Sequence, residues 1–359
     1  MKIGKYEIKH PIIQGGMGVG ISWDQLAGNV SLEGGLGVIS AVGTGYYKNK
    51  SENVQIITKH DKPKDVANFY SKDALNEIFA NARKICGDAP LGCNILYAIN
   101  DYGRVARDAC EAGANIIITG AGIPTNMPEF TKDFPDVALV PIVSSARALK
   151  LICKKWQRYN KLPDAVIVEG PLSGGHQGFT YEQCFLEEYQ LENIVPSVIE
   201  EAKNWGNIPV IAAGGIWDKN DIDKFLAMGC VGVQMATRFI GTFECDAHAN
   251  LKNVLLNSKE EDIKLMKSPV GLPARGVMTN LQFSIENKSA PKVQCISNCV
   301  APCNRGHEAK LVGYCIADRL GAAYNGDVDT GLFFTGSNGY RINKIISVKE
   351  LMEKLTEGE

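Results

Sequence analysis

Eight short apolar runs, most of them closed by glycine or another small residue, limit what this chain can fold into. They cover residues 11–14, 36–40, 91–95, 115–119, 138–143, 165–169, 209–212 and 231–235. Each is rich in Val, Ile or Leu and nearly continuous, as expected of strands buried on both faces of a parallel sheet. Amphipathic stretches at 23–33, 71–85, 101–112, 146–159, 194–203 and 218–228 separate them. Most neighbouring runs lie about 20 to 25 residues apart, the repeat of a βα unit. Eight such units predict an α/β fold of the TIM (β/α)8 type. An open doubly wound sheet is the competing architecture, but it does not ask for a glycine-rich segment after nearly every strand.

Two segments break the repeat. Residues 43–68 are long, polar and lysine-containing, and read as an extended loop after the second strand. Residues 246–314 intervene between the eighth strand and a last helix expected at 312–323. They begin with a helical stretch at 247–256, continue through SPVGLPARGVMTN and then carry a cysteine cluster. They are expected to form a smaller inserted lid domain over the barrel mouth. The chain therefore divides into a barrel over 1–245, a lid segment over 246–314 and a return to the barrel over 315–359. That return holds a turn-rich loop at 326–343 and a closing helix at 348–355.

The 359 residues carry a formal charge of −2, so nothing in the balance points to nucleic acid or to a membrane surface. The longest apolar runs are far too short to cross a bilayer, and the first residues, MKIGKYEIKHPIIQGG, lack the apolar core of a signal peptide. A cytoplasmic location is the expectation, and a homodimer is compatible with the sequence. Most of the eleven cysteines lie inside apolar segments, where thiols act as small hydrophobes. Cys295, Cys299, Cys303 and Cys315, with His307 nearby, have a C-x3-C-x3-C spacing that lacks the C-x2-C pairs of common zinc sites. Pro302 also interrupts any helix that would align the first three. Reduced thiols with no metal are expected there.

In a TIM barrel the site lies at the C-terminal ends of the strands. That rule sends Gly15, Gly16, Met17, Asn94, Thr119, Gly120, Glu169, Gly174, Gly175, His176, Gly214, Gly215 and Thr237 to one mouth. The seventh and eighth strands, within IPVIAAGGIWDKNDIDKFLAMGCVGVQMATRF, end at Gly214-Gly215 and Ala236-Thr237. Loops at those two positions are where barrels bind phosphate, because bare backbone N–H groups converge there. Residues 15–20 do not follow the G-x-G-x-x-G order of a dinucleotide fingerprint. His176 follows Ser173, Gly174 and Gly175 at the end of the sixth strand, a setting suited to a base that takes a C–H proton near neutral pH. Glu169 is placed to orient a neighbour or to contact a cofactor. His10, His60 and His248 have no such setting and read as structural or exposed.

PIIQGGMGVGIS, VEGPLSGGHQG, IPVIAAGGI and GVQMATRF, in that order, resemble the nitronate monooxygenase (2-nitropropane dioxygenase) family. Flavin-dependent enoyl-acyl-carrier-protein reductases belong to the same superfamily. The resemblance runs through the whole barrel and implies FMN at its mouth. By that likeness Gly15, Gly16 and Met17 line the flavin ring, and Asn94 contacts it. Gly174, Gly175, Gly214, Gly215, Ala236 and Thr237 hold ribityl and phosphate, and His176 matches the catalytic histidine. The stretch 295–315 is not part of the family's best-known pattern. The implied activity is oxidation of nitronates or nitroalkanes with O2 to a carbonyl compound and nitrite. The alternatives are an NAD(P)H-dependent enoyl reductase and a non-enzymatic flavin- or phosphate-ligand-binding protein.

Overall fold

The computed structural model describes residues 1–47, 69–290, 292–293 and 295–358. The expected loop at 43–68 falls largely outside the described residues, as does His60. Eight strands form one parallel sheet: β1 (Ile12–Gln14), β2 (Gly37–Ser40), β3 (Leu91–Leu96), β4 (Ile116–Gly120), β5 (Ala138–Val143), β6 (Val166–Glu169), β7 (Val210–Ala213) and β8 (Gly232–Met235). Their order in the sheet is β1-β8-β7-β6-β5-β4-β3-β2. The ring then closes, because Ile13 pairs in parallel with Leu36. The Gln14 N–H donates to the Leu36 carbonyl, and the Leu36 N–H to that of Ile12, each at 2.9 Å. A closed ring has no edge strand, so the sheet is a barrel and not the open doubly wound alternative.

Strand alternation sorts the apolar side chains. Ile13, Val38, Ile116, Ile118, Val140, Ile167 and Ile211 share the barrel interior, whereas Ile117, Leu139, Val166 and Val168 belong to the layer under the helices. Ile3 and Ile8, around the small hairpin of Lys2–Ile3 and Tyr6–Glu7, join the interior cluster and plug the N-terminal end. Only the C-terminal end is left for a ligand.

The helices along the barrel are α1 (Asp24–Leu32), α2 (Lys72–Cys86), α3 (Tyr102–Glu111), α4 (Met127–Phe130), α5 (Ala146–Trp156), α6 (Leu191–Lys203), α7 (Lys219–Ala227) and α8 (Thr237–Ile240). Ser71, Ser145 and Asp218 cap α2, α5 and α7 with side-chain oxygens, which satisfies backbone donors that the first turn leaves orphaned. With only four residues, α8 is too short to cover the wall beside β8. The C-terminal helix covers it instead, packing between α7 and α1.

Over the mouth lie α9 (Ala249–Leu256), an antiparallel pair of Ile263–Met266 with Ala274–Val277, α10 (Asn280–Glu286), α11 (His307–Val312) and α12 (Ile316–Tyr324). The closing helix, α13, is Val348–Glu357. The helix expected over 312–323 starts later, at Ile316, behind a separate short helix. Gly313, at φ +99°, ends α11 in the left-handed conformation that glycine adopts freely, and α12 restarts at Ile316.

Candidate active site

At the barrel mouth a cavity of about 610 Å³ is bordered by residues from the strand ends and from the segment above them. Gly15, Gly16, Met17, Asn94, Gly120, Glu169, Gly174, Gly175, His176, Gly214, Gly215, Ala236 and Thr237 all line it. Thr119 does not, which corrects the expectation that it points into the mouth. Ile116 and Ile118 face the barrel interior, so Thr119, one residue out of phase, must face the helices. It is fully buried there, its hydroxyl 3.3 Å from the Tyr102 hydroxyl and 3.6 Å from the Met127 sulfur. Gly120 is the residue by which β4 reaches the cavity.

Close packing explains the glycines. A Cβ on Gly16 would lie 2.3 Å from the Cβ of Asn94, so the β1 turn can approach β3 only without a side chain. Gly214 and Gly215 both take left-handed backbone, at φ +97° and +80°, and a Cβ on Gly214 would come within 2.8 Å of the Gly170 carbonyl oxygen. The first N–H groups of α8 receive no side-chain cap from Ala236. A turn with exposed backbone therefore sits beside an uncapped helix start, a combination that suits an anionic oxygen.

The loop at 335–338 completes this corner, although its composition reads only as turn. The Gly336 N–H donates to the Thr237 hydroxyl at 2.8 Å, the Ser337 N–H to the Leu172 carbonyl at 3.0 Å, and the Asn338 amide to the Gly215 carbonyl at 2.7 Å. The turns after β6, β7 and β8 are thereby tied to one C-terminal loop.

His176 is held from above. Its backbone pairs antiparallel with Ala274, the Gln177 N–H donates to the Pro273 carbonyl at 2.8 Å, and its Nε2 lies 2.7 Å from the Ser268 hydroxyl. The imidazole meets the Phe334 ring edge-on, with centroids 5.4 Å apart. Burial pushes its pKa down to about 4, so the ring is neutral at ordinary pH. Burial acts on Glu169 in the opposite sense, raising its carboxyl to about 7.

Sequence reasoning missed Ser268, Phe334 and Gln234. For Gln234 a signal exists, since it is the one polar side chain in the apolar run of β8. Its Oε1 is buried at the cavity wall with no hydrogen-bond partner, and a bound group offering an N–H would satisfy it. Ser268 and Phe334 lie in segments with no periodic pattern that could aim them.

The cysteines form no disulfide, and Cys299 lines the cavity rim beside Val300 and Pro302. Among the described residues no group of three or more His, Cys, Asp or Glu is arranged to hold a metal. The His248 ring accepts from the Asn250 N–H at the start of α9, while His10 lies outside the mouth. Among the described residues no helix is long and apolar enough to cross a membrane.

The model of the nitronate monooxygenase family matches residues 1–358. The chain belongs to the nitronate monooxygenase family. A probable nitronate monooxygenase of Staphylococcus saprophyticus is 28% identical over 76% of this chain and 77% of its own length. A Rhodococcus jostii protein named as a (3aS,4S,5R,7aS)-5-hydroxy-7a-methyl-1-oxo-octahydro-1H-indene-4-carboxyl-CoA dehydrogenase is 28% identical over 78% of this chain, and the match spans 66% of that protein. Among solved structures, FabK from Thermotoga maritima superposes with a TM-score of 0.71 at 27% identity, covering 98% of this chain and 93% of its own. A nitroalkane oxidase from Streptomyces ansochromogenes gives 0.68 at 20% identity over 97% and 95%, a likeness of fold. As a member of the nitronate monooxygenase family the chain is an oxidoreductase enzyme of flavin type. Its own residues fit such a group: bare glycine backbone at β1, an unpaired Gln234 oxygen at the wall, and the Gly214-Gly215 and Thr237 corner for a phosphate.

Proposed function

We propose that the chain is an FMN-dependent nitronate monooxygenase that turns alkyl nitronates or nitroalkanes, with O2, into a carbonyl compound and nitrite. The observation that carries this reading is His176, a neutral imidazole at the cavity wall anchored 2.7 Å from Ser268. FMN, when bound, supplies the two-electron redox chemistry between the organic substrate and O2. In this reading the backbone of Gly15, Gly16 and Met17 lines the ring and Asn94 contacts it. Gly174, Gly175, Gly214, Gly215, Ala236 and Thr237 hold ribityl and phosphate, while Glu169 borders the cofactor. His176 takes the α-proton of a neutral nitroalkane, and a nitronate supplied directly needs no such step. The apolar side chains of Val270, Leu272 and Phe334 border the cavity on the side of the base. The protein acts in the cytoplasm on small molecules.

A second reading, reduction of an enoyl thioester with NAD(P)H, draws on one observation. The Rhodococcus relative is named for a CoA thioester substrate, and apolar residues of the cover border the cavity here. Purified protein, expected to be yellow with a flavin spectrum, separates the two under anaerobic conditions. Bleaching of that spectrum by propyl-2-nitronate, and not by NADH or NADPH, is the expected result. Rapid bleaching by NADH with no response to the nitronate would replace the first reading with the second, and a colourless protein that binds no FMN would sink both.

A further inference from the structure

The cavity at the barrel mouth has two unlike ends. The turns after β6, β7 and β8 form a polar corner, with Gly214, Gly215 and Thr237. The other end lies over β2 and β3, where Val42 and Leu96 border the cavity together with Val300, Pro302, Ile316 and Leu320 of the cover. Backbone ties the cover down there. Val300 bridges antiparallel to Ile99, the Ala301 N–H donates to the Ala98 carbonyl at 2.9 Å, and the Asn100 N–H donates to the Cys299 carbonyl at 3.2 Å. Residues 299–301 therefore form a fixed wall just beyond the end of β3.

This apolar surface starts at the histidine. Phe334, which meets the His176 ring edge-on, packs in one cluster with Ile316 and Leu320. Val270, whose N–H donates to the Ser268 hydroxyl at 3.4 Å, packs in another with Val300 and Cys299. All of these except Ser268 border the cavity. An apolar path thus leads from the imidazole along the cover to 299–302 and α12. Charge is scarce around it. Among the described residues no Lys or Arg borders the cavity, and the one carboxyl group there, Glu169, belongs to β6. An alkyl chain on that path gains from each methylene it buries, whereas a charged end group would lose its water and find no counter-ion.

We propose that this apolar arm holds the tail of the substrate, so that the enzyme selects nitronates or nitroalkanes with a longer uncharged alkyl chain over short ones and over chains that end in a carboxylate. This rests on the reading of His176 as the base, which sets where the reacting carbon lies. It adds that the cover, through residues 299–302 and α12, decides which substrate is taken.

Two series on flavin-loaded protein test it. Straight-chain alkanamides from acetamide to decanamide have a planar head shaped like a nitro group and report binding apart from turnover. Titrated against the flavin spectrum, their dissociation constants should fall about 3-fold with each added methylene until the arm is filled. The monoamide of a dicarboxylic acid should bind roughly 10-fold or more weakly than the alkanamide of the same length. For nitroalkanes and their nitronates, from nitroethane to 1-nitrooctane, kcat/KM should climb with length as well. Leu320→Asn and Val300→Thr each put a polar group in the arm and should flatten both slopes. Val300→Thr keeps the side-chain shape, so it reads the arm even if Leu320→Asn folds poorly. Affinities that stay level or weaken as the chain grows overturn the proposal, as does a monoamide that binds as well as its uncharged counterpart. Slopes unchanged in both variants would place the chain elsewhere and overturn it too. If no nitroalkane or nitronate is oxidised, the proposed activity fails, and the amide series still decides what the arm holds.

Discussion

Gly214 and His176 border the same cavity, but different parts of the chain hold them. Gly214 sits in the barrel's own framework: its nearest obstacle to a side chain is the Gly170 carbonyl, at the end of the adjoining strand β6. His176 is fixed by Ser268, 92 positions away, by Ala274 through backbone pairing, and by Phe334 at a ring edge. The wall thus builds a cradle from backbone, whereas the cover aims one side chain. A wall that cradles and a cover that aims should be separable by mutation. His176→Asn gives the largest separation. Turnover of a neutral nitroalkane should fall by about 10²- to 10⁴-fold, the usual contribution of a positioned base, while FMN titration gives an affinity close to wild type. Loss of flavin binding in this variant would break the comparison, because the cover's side chain would then be part of the cradle.

The same division explains what the sequence discloses. The rule that a barrel's site lies at the C-terminal ends of its strands, with the repeat of βα units, places Gly15, Asn94, Glu169 and Gly214 at the mouth. Strand alternation explains Thr119, which the strand-end rule sends to the mouth but the register of β4 turns outward. Gln234 could have been found by asking why an amide stands in an apolar strand. Ser268 and Phe334 could not, because their positions depend on long-range pairing of a hairpin with Gly175–His176 and with Phe334 itself, and no local period encodes such pairing. The loop at 335–338 is of the same kind. Its composition signals a turn, but nothing in it announces hydrogen bonds to Leu172, Gly215 and Thr237.

Gly174 lies where wall and cover meet, and it sharpens the comparison at an intermediate effect. A Cβ there would stand 2.6 Å from the Thr335 carbonyl carbon and 2.7 Å from the Gly336 nitrogen, both backbone atoms with little room to yield. Gly174→Ala should cost about 1–3 kcal/mol, as overpacking does, seen as a lower Tm. It should also weaken FMN binding by pushing the 335–338 loop off Thr237. An unchanged Tm with unchanged FMN affinity would mean that this loop is free to move and contributes nothing to the phosphate corner.

Glu169 gives the smallest effect, one that belongs to the wall alone. Its carboxyl is raised by burial from an ordinary 4.5 to about 7. Below pH 4.5 the group is protonated in folded and unfolded chains alike and has no influence. As pH rises from 4.5 through 7, the unfolded chain releases the proton while the folded chain keeps it, so stability falls across that window and then levels off. His176, lowered to about 4 from 6.5, works in the other direction, costing stability as pH drops from 6.5 towards 4. The two windows overlap, so the quantity to read is the difference between Glu169→Gln and wild type in flavin-free protein. That difference should be near zero relative to its own acid limit at pH 4.5 and grow into a gain by pH 8, followed by denaturant melts at each pH. Parallel stability curves for the two proteins would remove the buried carboxyl from the account. Repeating the pair in the Gly174→Ala background then asks which part of the molecule buries it. If strand β6 and its neighbours do so, displacing the 335–338 loop leaves the difference curve in place. If the curve collapses, the cover dehydrates the wall as well as aiming the histidine, and the two regions act as one.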